Sequence, residues 1–298
     1  MKASFVIATN NRKNEVLFTI AKTKELIKSD HDNYEIIIID NASTDGSADA
    51  IKSTYNDVTV IENRTNTGVS SRNLGFEKAK GEYLIMLDDD SNIEFGLDKA
   101  LNFMDQNPAT GVLALNVVNG PYTSALWQDK DRQETVGFIG CGAIIRREVY
   151  KKIGGIAEWI SFGTEEWEYG LRVTDAGYEV RYFADCHVNH RASMINRSSK
   201  RNRVNISKYE LAIVYKHFSH RKWNYMFRVI GSNLKMVHKV GLKNTWYNLI
   251  GMKEFLKIKN TLTPTPVSKE AQLKFINAYI TLQNSVFGFL FKKLKRDL

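Results

Sequence analysis

Four consecutive isoleucines at residues 36–39 constrain the fold of this chain more than any other feature. A run of this kind has no polar side that can face water, which indicates a strand buried on both faces of a sheet. Similar short apolar runs occupy residues 5–8, 58–61 and 83–87. Segments with helical spacing separate these runs, at residues 15–27, 46–54 and 70–80. The alternation predicts an α/β fold in which a mostly parallel central sheet is flanked by helices.

The same pattern continues further along the chain, although more weakly. Residues 97–104 are predicted to form a helix that ends before Pro108, and residues 111–118 and 179–183 are predicted strands. The 298 residues and a hydrophobic content of 43% allow a sizeable core. Two cysteines and an N-terminus without a signal-like apolar segment predict a cytoplasmic protein without a disulfide framework.

Charge divides the chain into two parts. The net charge is +9, but residues 1–194 carry −8 and residues 195–298 carry +17. We therefore predict an α/β domain over residues 1–194 and a basic, mainly α-helical region over residues 195–298. Different partners are expected for the two parts.

Polar residues follow three of the predicted strands directly. Thr9 to Arg12 follow the first strand, Asp40 and Asn41 follow the isoleucines, and the acidic triple Asp88-Asp89-Asp90 follows the fourth strand. Parallel sheets bind ligands at the carboxyl ends of their strands. Three adjacent carboxylates there are explained by a divalent cation that also contacts phosphate oxygens, or alternatively by a solvated acidic turn.

Taken together, these segments resemble family 2 of the glycosyltransferases, which have the GT-A fold. Four motifs carry the resemblance in order and spacing, at residues 5–12, 39–46, 63–75 and 81–90. The resemblance implies a nucleotide-sugar-binding half over residues 1–90 and an acceptor-side half over residues 91–194.

The resemblance also implies roles for individual residues. Asp88 and Asp90 correspond to the acids that hold Mg²⁺ or Mn²⁺ against the diphosphate of a nucleotide sugar, and Asp89 faces the ribose or the donor sugar. The other expected nucleotide-binding residues are Thr9, Asn11, Arg12, Asp40, Asn41 and Arg72.

A second acidic cluster lies further along the chain, at Glu165, Glu166 and Glu168. It is similar to the family signature Glu-Asp-x-Asp-Leu-x-x-Arg, and Glu166 stands where the family usually has an aspartate as general base. A base is needed because a sugar hydroxyl is a weak nucleophile. The alternative is that the glutamates only form the acidic first turn of a helix, where the helix dipole favours them.

The family also often carries a histidine that completes the metal shell, and His190 fits this position better than His187. Zinc is not expected, since no second pair of cysteine or histidine ligands accompanies Cys186 and His190. Three tryptophans are candidates for stacking on sugar rings or, alternatively, for the core: Trp127, Trp159 and Trp167.

The basic C-terminal region has apolar residues at helical spacing, and its last predicted helix spans residues 274–294. This helix is expected either to lie on an anionic membrane or to pack on the catalytic core with a solvated basic face. Nucleic acid is not an expected partner, because no nucleic-acid-binding motif accompanies the charge.

The sequence thus predicts a metal-dependent, inverting glycosyltransferase that moves a sugar from a UDP-sugar to a hydroxyl of a glycan or a lipid-linked glycan. The expected location is the cytoplasm, including the inner face of the plasma membrane. Two alternatives remain: a sugar nucleotidyltransferase, and a non-catalytic membrane- or glycan-binding module. The absence of glycine from residues 9–12 argues against the nucleotidyltransferase, which would need a glycine-rich triphosphate loop there.

Overall fold

The computed structural model describes residues 1–118, 134–193, 198–235 and 237–283. The strands in these ranges are β1 (Ala3–Thr9), β2 (Tyr34–Asn41), β3 (Val58–Asn63), β4 (Tyr83–Asp88), β5 (Ser91–Phe95), β6 (Thr110–Val118), β7 (Glu134–Thr135), β8 (Ala143–Arg146) and β9 (Glu179–His190). The helices are α1 (Lys13–Ile27), α2 (Ser47–Thr54), α3 (Arg72–Lys78), α4 (Leu97–Gln106), α5 (Arg147–Ile153), α6 (Glu165–Asp175), α7 (Ser199–His217), α8 (Lys222–Lys235), α9 (Val237–Ile258) and α10 (Lys269–Gln283).

The strands form one sheet in the order β3-β2-β1-β4-β8-β6-β9-β5, and β7 pairs with β9. From β3 to β4 all neighbours are parallel, and helices connect them as the sequence pattern predicted. Beyond β4 the sheet is mixed, because β8 is antiparallel to both β4 and β6, and β5 is antiparallel to β9. The prediction of a mostly parallel sheet therefore describes the first half of the sheet better than the second.

The isoleucine run is buried from both sides, as predicted. Ile36 and Ile38 belong to a hydrophobic cluster on one face of the sheet, whereas Ile37 and Ile39 belong to the cluster on the other face. Alternation of side chains along a strand requires this division when both faces are covered.

The strand predicted at residues 179–183 is longer in the structure. β9 continues to His190, and Cys186, Val188 and His190 are buried at alternate positions. The sequence analysis placed these residues after the strand. Their period-two burial is the physical reason for the extension, and it carries His190 to the strand end opposite Ser91 in β5.

The C-terminal helices pack on the α/β part. A third hydrophobic cluster contains Leu171 of α6 and Ile160 before it, together with Leu211 of α7 and Phe275 of α10. This packing supports the alternative of a helical region docked on the core. The domain boundaries at residues 194 and 195 stay a prediction.

The helix predicted at residues 274–294 corresponds to α10 in its first part. Two of its apolar side chains, Phe275 and Ile276, are buried against the core. The remaining part, residues 284–298, lies outside the described residues. Among the helices that the structure describes, none has the length and apolar character needed to cross a membrane.

Two helical glycines allow a matched test of how α6 packs against residues 134–136. A Cβ atom at Gly170 of α6 would lie 1.7 Å from the carbonyl oxygen of Val136, whereas a Cβ atom at Gly231 of α8 would meet nothing within 4 Å. We expect Gly170→Ala to lower the free energy of unfolding by about 2–4 kcal/mol, because the backbone of Val136 must move. Gly231→Ala should raise it by up to about 1 kcal/mol through helix propensity.

Denaturant unfolding of the two variants measures both changes. Equal stability of Gly170→Ala and the parent protein would show that α6 does not pack against residues 134–136 as described.

Candidate functional site

The carboxyl ends of β1, β2 and β4 meet at one edge of the sheet. In the strand register, Thr9 is paired with Asp40 and Ala8 with Asp88. The polar residues that follow these strands in the sequence are therefore brought together in space, as expected for parallel neighbours.

A cleft of about 940 Å³ opens at this edge. The sheet end supplies Thr9, Arg12 and Asp88, and the opposite wall includes Glu166 near the start of α6. This volume falls in the range of sites that bind cofactors and other small molecules. The sequence-predicted residues on the cleft lining are Thr9, Arg12, Asn41, Arg72, Asp88, Asp89, Glu166 and His190.

Two arginines hold the acidic triple. Arg72 is ion-paired with Asp88, while one guanidinium nitrogen of Arg12 lies 2.9 Å from Asp89 and 3.1 Å from Asp90. Both arginine side chains are largely buried. The attraction offsets the mutual repulsion of three adjacent carboxylates, so the triple is not a freely solvated acidic turn.

The three carboxylates have different environments. Asp88 is the most exposed of them, with 34% of its side chain accessible, whereas Asp90 is fully buried. Burial raises the pKa of Asp89 to about 6, although the charge of Arg12 and its hydrogen bond oppose the shift. The hydroxyl of Thr9 donates to Asp89 at 2.9 Å.

His190 lies against the acidic triple. Its Nε2 atom is 3.4 Å from Asp90, and ligand atoms of Asp88, Cys141 and His190 lie within 4.8 Å of one another. Carboxylate oxygens and a neutral imidazole suit Mg²⁺ or Mn²⁺. Burial raises the pKa of the Cys141 thiol well above its ordinary value, and sulfur is a softer ligand than Mg²⁺ or Mn²⁺ prefers. Asp88 and His190 therefore fit a divalent cation. Asp90 is fully buried beside His190, and its role as a metal ligand stays a prediction.

Glu166 lies on the opposite wall of the cleft. Its carboxylate accepts a hydrogen bond of 3.0 Å from the amide of Gly140, where a side chain would collide with it. Burial raises the pKa of Glu166 to about 8, and the nearby charges of Glu165 and Asp88 act in the same direction. A glutamate with this environment has the proton affinity required of a general base near neutral pH.

The other two glutamates of the cluster have structural contacts. Glu165 accepts hydrogen bonds from the amides of Gly163 and Thr164 at the start of α6. Glu168 is buried and accepts from Arg172 at 2.8 Å and lies 3.0 Å from Nε2 of His217 in α7. Burial opposes ionisation of Glu168, but these two partners outweigh it and lower its pKa.

Two predicted nucleotide-binding residues do not reach the cleft lining. Asn11 accepts a hydrogen bond of 2.7 Å from the amide of Thr44, and Asp40 accepts one of 3.1 Å from the amide of Ser43. Both side chains shape the loops that follow β1 and β2. Their direct role in nucleotide binding stays a prediction.

The structure places the remaining candidate residues that it describes, two tryptophans and His187, in different surroundings. Trp167 lines the cleft, whereas Trp159 packs its ring on Tyr209 and His217 in the third hydrophobic cluster. His187 stacks on Phe95, away from the residues that surround Asp88. Trp127 lies outside the described residues.

Sequence reasoning missed one wall of the cleft. Residues of α7 line it, including Arg201, Asn202 and Asn205. Asn205 is buried, and its amide lies 3.5 Å from the hydroxyl of Ser161. The polar face of a helix more than 100 residues after the acidic triple gives no local motif, since only the tertiary packing of α7 brings it there.

The chain matches the family model described as Glycosyl transferase family 2 over residues 4–154, which is about half of its length. It therefore belongs to the family 2 glycosyltransferases. The family predicted from the four motifs is confirmed.

Curated relatives also match parts of the chain. An uncharacterized glycosyltransferase of Haemophilus influenzae is 29% identical over 185 residues, which make up 57% of this chain and 61% of the relative. The poly(ribitol-phosphate) beta-glucosyltransferase of Bacillus spizizenii is 38% identical over 96 residues, or 30% of this chain and 15% of that protein. The chain thus spans less than two thirds of the length of these relatives.

Solved structures share the fold. TarS of S. aureus in complex with UDP-GlcNAc has a TM-score of 0.61 and 17% identity, covering 96% of this chain and 91% of that chain. The mannosyltransferase PcManGT of Pyrobaculum calidifontis, in complex with GDP-Man and Mn²⁺, has a TM-score of 0.60 and 16% identity, covering 93% of this chain and 79% of that chain. These likenesses confirm the predicted GT-A fold.

The different environments of Glu166 and Glu168 predict opposite effects on stability. The pKa of Glu166 is raised in the folded state, so its ionisation lowers stability progressively as pH rises from its unfolded value toward about 8. The pKa of Glu168 is lowered, so its ionisation contributes stability above the unfolded value, and this contribution is lost as pH falls.

At pH 8 to 9, we therefore expect Glu166→Gln to raise Tm by a few degrees and Glu168→Gln to lower it. Thermal unfolding of the two variants, each compared with the parent protein across pH, measures the contrast. A fall in Tm for Glu166→Gln at alkaline pH would show that its carboxylate is not destabilised by burial.

Proposed function

We propose that this protein is a metal-dependent, inverting glycosyltransferase with Glu166 as its general base. The donor is a nucleotide-diphosphate sugar with UDP as the nucleotide, and the acceptor is a hydroxyl of a glycan or a lipid-linked glycan. The enzyme acts in the cytoplasm, peripherally at the inner face of the plasma membrane.

One observation carries the proposal. Glu166 of α6 lines the same cleft as Asp88 and Asp89, which lie at the end of β4 and directly after it. A donor whose diphosphate lies at Asp88 would present its sugar toward α6. A hydroxyl activated by Glu166 then attacks the anomeric carbon from the side opposite the leaving diphosphate, which inverts that centre.

A divalent cation held by Asp88, Asp90 and His190, when bound, neutralises the charge that develops on the leaving diphosphate. The chain's own residues orient the donor. Arg12 holds Asp89 and Asp90 in place at the sheet edge, and Thr9 fixes the other oxygen of Asp89. Asp89 then accepts hydrogen bonds from the ribose or the donor sugar.

Arg72 also binds the donor phosphates in this proposal. It is ion-paired with Asp88 and largely buried, and it lies on the cleft lining. A diphosphate that approaches Asp88 with a cation offers the guanidinium new anionic oxygens, to which arginine binds well. Arg72 thus moves from a carboxylate partner to a phosphate partner when the donor binds.

The printed descriptions of similar proteins support the donor class. TarS is described in complex with UDP-GlcNAc, and PcManGT with GDP-Man and Mn²⁺. Both ligands are nucleoside diphosphate sugars. The acidic triple and Arg72 in this chain offer the matching chemistry for a diphosphate and a cation.

Replacement of the base tests the mechanism. We expect Glu166→Gln to lower kcat by about 10²–10⁴-fold, because the acceptor hydroxyl keeps its proton. Binding of UDP in the presence of Mn²⁺ should remain nearly unchanged, since Glu166 makes none of the proposed contacts with UDP. The measurements are release of UDP during transfer and calorimetric binding of UDP.

Glu158→Gln is the matched control, because Glu158 is exposed just before α6 and should retain parental activity. If Glu166→Gln lost UDP binding and transfer to the same extent, Glu166 would hold the nucleotide site together rather than act as the base.

The raised pKa of Glu166 predicts the pH dependence. The base must be ionised to accept a proton, so kcat/KM should rise as pH increases through about 8 and then level off. An ordinary glutamate would give the same rise near pH 4 to 5. A profile that is flat between pH 6 and 9 would exclude Glu166 as the titrating base.

A further inference from the structure

Helices α8 and α9 expose apolar side chains along one stripe each. In α8, Trp223 is 63% exposed and Phe227 is 70% exposed, one helical turn apart. In α9, Leu242 is 82% exposed and Trp246 is 63% exposed, again at a spacing of four residues. Leu249, the next residue of the α9 stripe, is 41% exposed. Two tryptophans, a phenylalanine and leucines in this arrangement are unusual for a surface that faces only water.

The other faces of these helices are already packed. Tyr225, Met226 and Val229 of α8 and Phe255 of α9 are buried in the third hydrophobic cluster. The side-chain amide of Asn248 in α9 donates to the carbonyl of Asn233 in α8 at 3.0 Å, which joins the two helices. The exposed stripes therefore lie outside the apolar face through which each helix packs in the third hydrophobic cluster.

The charge around this surface is strongly one-sided. Residues 211–268 contain ten lysines and arginines but only one acidic residue, Glu254. Glu254 is itself ion-paired with Lys257 at 2.6 Å. Lys243 and Lys253 are exposed in α9. Lys243 directly follows Leu242, and Lys253 comes one helical turn after Leu249. Aromatic and aliphatic side chains among unbalanced cations are the combination that binds the interface of an anionic bilayer.

We propose that the α8–α9 surface, defined by Trp223, Phe227, Leu242, Trp246 and Leu249, docks this protein on an anionic lipid bilayer. The apolar side chains enter the headgroup region, and the surrounding lysines bind lipid phosphates. The membrane contact expected from the sequence at residues 274–294 is thus moved to another pair of helices, because the apolar side of α10 is buried in the core.

The position of α7 relates this surface to the cleft. Helix α7 packs against both α8 and α9, and its opposite side lines the cleft through Asn202 and Asn205. Docking through α8 and α9 therefore holds the wall of the cleft that α7 forms at a fixed distance from the bilayer. Under the proposed function, this arrangement suits an acceptor that is attached to a lipid.

The test uses the full chain and vesicles of phosphatidylcholine, either alone or mixed with phosphatidylglycerol. We expect sedimentation with the mixed vesicles and little with phosphatidylcholine alone. The apolar variant Phe227→Gln/Leu242→Gln/Trp246→Gln should lower the partition coefficient by at least about tenfold, since three large side chains no longer leave water. The charge variant Lys243→Gln/Lys253→Gln should weaken binding by several-fold, as should high salt.

Two matched controls locate the contact. Leu273→Gln removes an exposed leucine of α10, which is 40% exposed, and should bind as the parent does. A variant with Lys292, Lys293, Lys295 and Arg296 changed to Gln removes the basic C-terminal cluster of the sequence. If this last variant lost binding while the apolar variant retained it, the proposed surface would be wrong.

Tryptophan fluorescence gives an independent measurement. Brominated lipids should quench the tryptophan fluorescence of the parent protein when it binds. The variant Trp223→Phe/Trp246→Phe should bind normally but lose most of this quenching. Unchanged quenching in this variant would overturn the proposal. So would a change of oligomeric state in sedimentation velocity without any vesicle binding, which would assign the surface to a second copy of the chain. Because vesicle binding requires no donor or catalysis, its failure leaves the proposed transfer reaction untouched.

Discussion

The concentration of negative charge at the end of β4 is the constraint on which the rest of the site depends. Three adjacent carboxylates lie where buried strands meet solvent, and one of them, Asp90, is fully buried. Arg12, just before α1, and Arg72, the first residue of α3, compensate this charge from two different elements. Compensation by arginine is reversible, because each guanidinium can exchange a carboxylate for a phosphate oxygen. The arginines therefore stabilise the acidic triple in the structure, and under the proposed function they also receive the diphosphate.

The wall of the cleft that α6 forms depends on a different interaction. Glu168 is locked between Arg172 and His217, and Arg172 also donates to the carbonyl of Gly155 at 2.7 Å. These bonds connect α6 to the loop before it and to α7. Glu166, two residues away on the same helix, accepts a hydrogen bond from the amide of Gly140 and has a raised pKa. Helix α6 thus keeps Glu168 ionised through two partners, one of them on α7, whereas Glu166, the proposed base, lines the cleft.

Local sequence patterns predicted the parallel half of the sheet well, because burial on both faces leaves an unmistakable run such as residues 36–39. They also brought Asp88, Glu166 and His190 into one site through the family motifs. They missed β5, since a strand only two residues after β4 looks like a polar turn. They also missed Asn205 and the pairing of Glu168 with His217, because these contacts depend on how α7 packs and leave no periodic signal in the sequence.

The central claim is that the acidic edge of the sheet and Arg72 bind a cation and a diphosphate. A crystal structure of the protein with Mn²⁺ and UDP tests this claim most directly. The account predicts anomalous density for manganese beside Asp88 and His190, the diphosphate on its other side, and Arg72 released from Asp88 to contact the phosphates. Manganese bound elsewhere, or Arg72 still paired with Asp88 while UDP occupies the cleft, would contradict it.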